Sequence, residues 1–249
     1  MSEQIVAMLL PGTDYCDPGR RHTVGVVTVP ARRPGPRSDV DVPTALVDAA
    51  ELLFGSASVD AVSLRAVARE AGVAPAALTH YFPDKAALVE AVLRRRADPV
   101  GTEVRERLAA LATAEQAPRP RDLVEAVVRP FVAVLDADPV AGLAWMKLFT
   151  ALGLAEEPMW LRGVGRAPSI ADLYAQVLQR ALPGVRGDEL YRRVGIAMYS
   201  MLSALAGVDL AGYGHPLSNE GVDPRFVDQL VVFTSAGLAA AGEPGQPSS

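Results

Sequence analysis

From Ser63 to Lys85 the chain reads Ser-Leu-Arg-Ala-Val-Ala-Arg-Glu-Ala-Gly-Val-Ala-Pro-Ala-Ala-Leu-Thr-His-Tyr-Phe-Pro-Asp-Lys, which sets hydroxyl, guanidinium, imidazole, phenol and ammonium groups on two short helical patterns. Ser63 is placed to cap a helix whose apolar stripe is Leu64, Val67, Ala68 and Ala71. Gly72 follows where a helix end needs positive φ, and Pro75 suits the first turn of a second helix ending near Tyr81 and Phe82. A helix, a glycine turn and a second short helix can lay the second helix in a DNA major groove about 12 Å wide. Ala74, Ala76 and Ala77 allow close approach, and Thr79, His80 and Tyr81 carry side chains able to reach phosphates or thymine methyl groups. Spacing alone leaves an ordinary helical hairpin equally open, with Tyr81 and Phe82 simply packed. Lys85 shifts the balance. In the first turn of its helix the macrodipole opposes a cation by about 0.3–1 kcal/mol, whereas a lysine beside free backbone N–H groups makes a phosphate site. It is also one of two lysines in a chain with 22 arginines.

The elements that would position these groups are helices. Upstream, Leu46, Ala49, Ala50, Leu53 and Phe54 recur at the 3.6-residue period. Downstream, Asp84 is expected to cap a helix carrying Leu88, Val89, Val92 and Leu93, and Asp98–Pro99 to reset the chain before Val100, Val104, Leu108 and Leu111. Further helices are predicted over Leu123–Leu135 (kinked by Pro130), Pro139–Leu154, Ser169–Leu182, Asp188–Leu205 and Asp223–Ala240. The pattern gives about nine or ten helices, no convincing strand and an all-α fold, a small N-terminal bundle followed by a larger one. Residues 1–42 read as a flexible extension and 242–249 as a disordered tail.

Composition narrows the classes. The chain has 249 residues, 50% of them hydrophobic and 21% charged, which excludes global disorder. Its longest uncharged run, Val194–Val208, falls short of the roughly 20 residues a membrane span needs. Glu3 and the short apolar run Ile5–Leu10, stopped by Pro11, do not make a signal peptide, so a cytoplasmic location is expected. Cys16 is the sole cysteine, so neither an internal disulfide nor a cysteine zinc cage can form. The formal net charge is −5, so DNA binding here would depend on a few placed cations rather than on a basic domain.

The segment Ser63–Lys85, followed by Ala-Ala-Leu-Val-Glu-Ala-Val, resembles the DNA-binding segment of the tetracycline-repressor (TetR) family, and Leu46–Phe54 resembles the family's first helix. The similarity covers roughly Pro43–Arg96. It implies a three-helix DNA-binding domain over 43–97 and a larger effector-binding and dimerisation domain over 98–241. It further implies DNA contacts from Ser63 and Arg65, from Ala74, Pro75, Ala76, Thr79, His80 and Tyr81 on the recognition helix, and from Lys85 beyond it, with Leu78 and Phe82 buried. Ala74 stands where the family usually has a hydroxyl cap, Pro75 where a polar residue is common, and Thr79 where tyrosine is frequent. These departures lower the hydrogen-bonding capacity of the recognition helix.

In the second half, Phe131, Trp145, Met146, Phe149, Met159, Trp160, Tyr174, Met198, Tyr199 and Met201 are suitable for an adaptable apolar pocket and equally for plain core. Phe131, Trp145, Met146, Phe149, Trp160, Tyr174 and Met198 are the expected effector-binding set. The apolar faces of the last two long helices, with small Ala197, Ala204 and Gly237, suit a homodimer contact as the resemblance implies, or ordinary packing. Other groups carry less. Cys16 and His22 lie in the extension, His215 lacks nearby ligands beyond Asp209, Gly163-Val-Gly165 reads as a turn, and Arg94, Arg95 and Arg96 point around a helix. No metal, cofactor or catalytic residue is expected. The expected function is an operator-binding, ligand-responsive repressor; the alternative is a helical enzyme or small-molecule-binding protein whose helix hairpin is structural only.

Overall fold

A computed structural model describes residues 41–158, 160 and 169–240. The expectations for Cys16, His22 and the rest of the extension up to residue 40, Met159, the Gly163–Gly165 turn and the tail lie outside the described residues.

Nine α-helices are described: α1 Val42–Ser56, α2 Leu64–Glu70, α3 Pro75–Tyr81, α4 Lys85–Thr113, α5 Pro120–Ala137, α6 Pro139–Leu154, α7 Ile170–Ala181, α8 Gly187–Ala206 and α9 Pro224–Ala239. The ends follow local chemistry. Ser63 Oγ accepts from the Ala66 N–H at 3.1 Å, Asp84 from Ala87 at 2.8 Å, Asp138 from Ala141 at 3.0 Å and Ser169 from Asp172 at 3.1 Å. Proline opens α3, α5, α6 and α9, where its missing N–H costs nothing. Two arginines close helices from outside. Arg180 of α7 donates to the carbonyls of Leu111, Ala112 and Ala114 at the end of α4, and Arg193 of α8 to Leu238 at the end of α9.

One expectation is overturned. The chain does not reset at Asp98–Pro99; α4 runs unbroken through Pro99 for 29 residues. A proline inside a helix costs about 3 kcal/mol, from the lost N–H and its clash with the preceding turn. Packing on both sides of Pro99 outweighs it: Val92 and Leu93 before it and Val100, Gly101, Val104 and Leu108 after it are buried. Pro130 likewise lies within α5, itself buried. A second difference is small. Leu217–Ser218 and Gly221–Val222 form a two-residue antiparallel ladder, too short to leave an alternating pattern in sequence, and the Asp136 carboxylate accepts the Val222 N–H at 2.9 Å.

α1, α2, α3 and the start of α4 make the small bundle, closed by Leu46, Ala50, Val67, Ala68, Leu78, Leu88 and Val89. The rest of α4 packs on α5 and α7, α5 on α6 and α9, and α8 on α6, α7 and α9. The two bundles meet where α1 crosses α6. Gly55 lies so close to Ala144 there that a Cβ on Gly55 would overlap the Ala144 Cα and Cβ.

Candidate nucleic-acid interface and effector cavity

Gly72 adopts φ +69°, which turns the chain between α2 and α3. α3 is then anchored through buried Leu78 and half-buried Phe82, and this leaves Ala74, Pro75, Ala76, Thr79, His80 and Tyr81 exposed on one short helix. Ser63 and Arg65 are exposed beside them on α2. The Thr79 hydroxyl donates to the Ala76 carbonyl at 3.1 Å, and the His80 and Tyr81 rings meet edge to face at 5.0 Å. Lys85 is placed differently from a free surface cation. Its Nζ donates to the Val59 carbonyl at 2.9 Å and to Asp60 at 3.4 Å, tying α4 to the 3-10 turn that precedes α2. Two of its three N–H groups are thereby engaged.

The three consecutive arginines separate around α4, as their spacing requires. Arg94 pairs with Asp98, Arg95 with Asp48 on α1, and Arg96 with Glu51 on α1 through Nε at 2.7 Å and Nη2 at 2.9 Å. Arg96 also reaches Asp138, the cap of α6, at 3.5 Å. The hydrogen bonds that Arg96 donates to Glu51, aided by both carboxylate charges, hold its guanidinium above the ordinary pKa against the opposing effect of burial. Sequence reasoning missed this cluster. Its one signal is a glutamate set among the apolar positions of the first helix.

An apolar cavity of about 340 Å³ lies in the larger bundle, its wall built from Val104 of α4, Val127 and Phe131 of α5, Phe149 of α6, Trp160, Ile170 of α7, and Tyr191, Gly195, Met198 and Tyr199 of α8. No charged side chain is among the described wall residues. Of the expected effector-binding set, the structure brings Phe131, Phe149, Trp160 and Met198 to this wall. Trp145, Met146 and Tyr174 are fully buried and do not line it. Trp145 stacks on Phe149 at 4.9 Å and donates its indole N–H to the Leu93 carbonyl at 3.1 Å, so the wall is backed by a rigid ring anchored to α4. Burial raises the Tyr174 hydroxyl well above its ordinary pKa, which keeps it neutral. Tyr199 is one of the residues expected to suit an apolar pocket, though outside the narrower effector-binding set, whereas Tyr191 is in neither. Tyr191 projects from a helix whose pattern also fits a dimer face, which masks a lining role.

A small helix-turn-helix bundle, a longer helix leading from it and a cavity in an all-helical second bundle define a class of DNA-binding regulators. Residues 46–92 match the family model for bacterial regulatory proteins of the tetR family, and residues 125–237 match the tetracyclin repressor-like C-terminal domain. The chain belongs to the TetR family. It is 32% identical over 113 residues, 45% of its length, to the HTH-type transcriptional regulator BetI of Rhizobium meliloti (strain 1021), and it spans about half of that relative, 53% of its length. A TetR-like transcriptional regulator from Rhodococcus sp. RHA1 has the same fold at a TM-score of 0.55 and 19% identity, with 84% of this chain and all of that one (100%) covered. SmeT, the repressor of the Stenotrophomonas maltophilia multidrug efflux pump SmeDEF, matches at 0.52 and 19%, over 83% of this chain and 97% of that one.

Proposed function

We propose that this chain is a cytoplasmic, homodimeric transcriptional repressor that releases operator DNA when a small apolar effector occupies the cavity of the larger bundle. The observation that carries the reading is the course of α4. It begins at Lys85, beside the recognition helix, and twenty residues of unbroken helix later contributes Val104 to the cavity wall. A ligand that displaces the wall therefore acts on an element that enters the DNA-binding bundle. Ser63, Arg65, Ala74, Pro75, Ala76, Thr79, His80 and Tyr81 are assigned to DNA, with the third N–H of Lys85 available to a phosphate. Phe131, Phe149, Trp160 and Met198 are assigned to the effector, with Trp145 supporting the wall through Phe131 and Phe149. An uncharged effector suits it, because an ionised group would find no counter-charge among the described wall residues. The dimer is assigned to the outer faces of α8 and α9, where Ile196 is 68% and Phe233 78% exposed.

The test has two stages. Duplexes are selected from a random-sequence library with the full chain and titrated by fluorescence anisotropy at several salt concentrations. Lys85→Ala is expected to weaken binding to every sequence and to lower the salt slope by roughly one. Uncharged aromatic compounds are then screened by thermal shift and the hits added to the DNA complex. Hits that stabilise the protein yet leave DNA affinity unchanged would refute effector release and leave only a binding cavity.

A further inference from the structure

The exposed surface of α3 is unusual in what it cannot do. The strongest hydrogen-bonded readings of a base pair use a bidentate partner, Arg or Lys for guanine and Asn or Gln for adenine, and α3 carries none of these. Ala74, Pro75 and Ala76 have no hydrogen-bonding side chain at all. Thr79 has one, but its hydroxyl is turned back onto the Ala76 carbonyl at 3.1 Å. With the oxygen held against the helix backbone, the methyl is the end that the exposed Thr79 side chain offers outward. Ala76 and Thr79 are three residues apart, so their methyl groups are neighbours on one helix face. Base edges in the major groove carry one apolar mark, the thymine C5-methyl.

We propose that α3 reads its operator through thymine C5-methyl groups packed against the methyls of Ala76 and Thr79, with Thr79 the specificity-determining residue. This rests on the DNA-binding reading above and deepens it. The hydroxyl of Thr79 acts only as an internal brace that fixes the direction of its methyl. His80, four residues from Ala76 on the same side, is the one other side chain able to read a base edge there, through its imidazole.

The experiment starts from the tightest duplex recovered by selection with the full chain. Each thymine in a half-site is replaced singly by deoxyuridine, which removes the C5-methyl and keeps every hydrogen-bonding group. At one or two positions the affinity is expected to fall about fourfold, the effect of losing one buried methyl-sized group. Thr79→Ser keeps the hydroxyl and removes the methyl; it is expected to bind the thymine duplex about fourfold more weakly and to be indifferent to uracil at one of those positions. Thr79→Val keeps a methyl in place and removes the hydroxyl, and it is expected to keep the preference for thymine over uracil at the position where Thr79→Ser loses it. Thermal melting of each variant checks that the fold is retained. Uracil indifference of the parent chain throughout the half-site, or uracil indifference of Thr79→Val at the position where Thr79→Ser is also indifferent, overturns methyl readout while leaving DNA binding intact. So does a uracil effect that persists in Thr79→Ser and disappears in His80→Ala. Failure to enrich any duplex overturns both this inference and the function it rests on.

Discussion

Glu51 is 1% exposed and lies on α1 between Ala50 and Phe54, among side chains that give a carboxylate nothing. Removing a charge from water costs several kcal/mol, which only close pairing offsets. The Arg96 fork supplies it by meeting both carboxylate oxygens, and Arg96 is itself shielded, with 16% of its side chain exposed. Arg96→Leu would leave Glu51 buried without a partner, and the expected loss in urea denaturation is about 3–5 kcal/mol. Adding Glu51→Leu should recover most of that loss; if the double variant is no more stable than Arg96→Leu, the pair is not the cause. The apolar stripe around Glu51 was legible from spacing alone. Its burial was not, because a charge can be buried only with its partner, and the partner is 45 residues away. Lys85 shows the same limit. Its position in the first turn of a helix could be read, whereas its bond to the Val59 carbonyl depends on how the link before α2 folds back.

At the scale of elements, capping residues were the dependable signs. Ser63, Gly72, Pro75 and Asp84 act through contacts within a few residues, and each stands where its chemistry predicts. Pro99 misled because local preference and tertiary packing oppose each other there, and packing of the residues on both sides wins. Pro99→Ala restores the N–H for the Arg95 carbonyl and is expected to raise stability by about 1 kcal/mol in urea titration, with the helix content unchanged. The α1–α6 crossing makes the opposite prediction. Gly55→Ala puts a methyl into the space of Ala144, and overpacking of this kind costs about 1–3 kcal/mol. Since α1 belongs to the DNA-binding bundle and α6 carries Phe149 of the cavity wall, Gly55→Ala should also change the operator affinity of the effector-free chain. An acid-side effect belongs to α5. A hydrogen bond from Arg119 holds the Asp122 carboxyl below the usual range, so its contribution is present above that range and is lost as pH falls through the lowered value. The difference in Tm between the parent chain and Asp122→Asn should therefore be full at pH 7 and vanish in strong acid.

At the scale of the molecule, α8 has two working faces. Tyr191, Val194, Met198 and Leu202 turn toward the cavity, while Ile196, Ser200 and Ser203 are exposed away from it. α9 adds Val232 and Phe233 to the outer surface, with Gly237 one turn beyond Phe233. A second copy laid on this surface would bury those apolar groups and fix two recognition helices against successive major grooves, about 34–36 Å apart. The gain from joining two half-sites in one complex is on the order of 10²–10⁴ in affinity without any new DNA contact. Phe233→Glu places a charge at the centre of that face while leaving the core of the subunit alone. Sedimentation should then show a monomer at concentrations where the parent chain is a dimer, and operator affinity should fall by at least about a hundredfold. Ligands that stabilise the parent chain should still stabilise the variant, because the cavity lies on the other side of α8. A Phe233→Glu chain that stays dimeric would move the interface elsewhere. A monomer that keeps full operator affinity would mean that one recognition helix suffices, and ligand binding could then no longer act by changing the spacing between two.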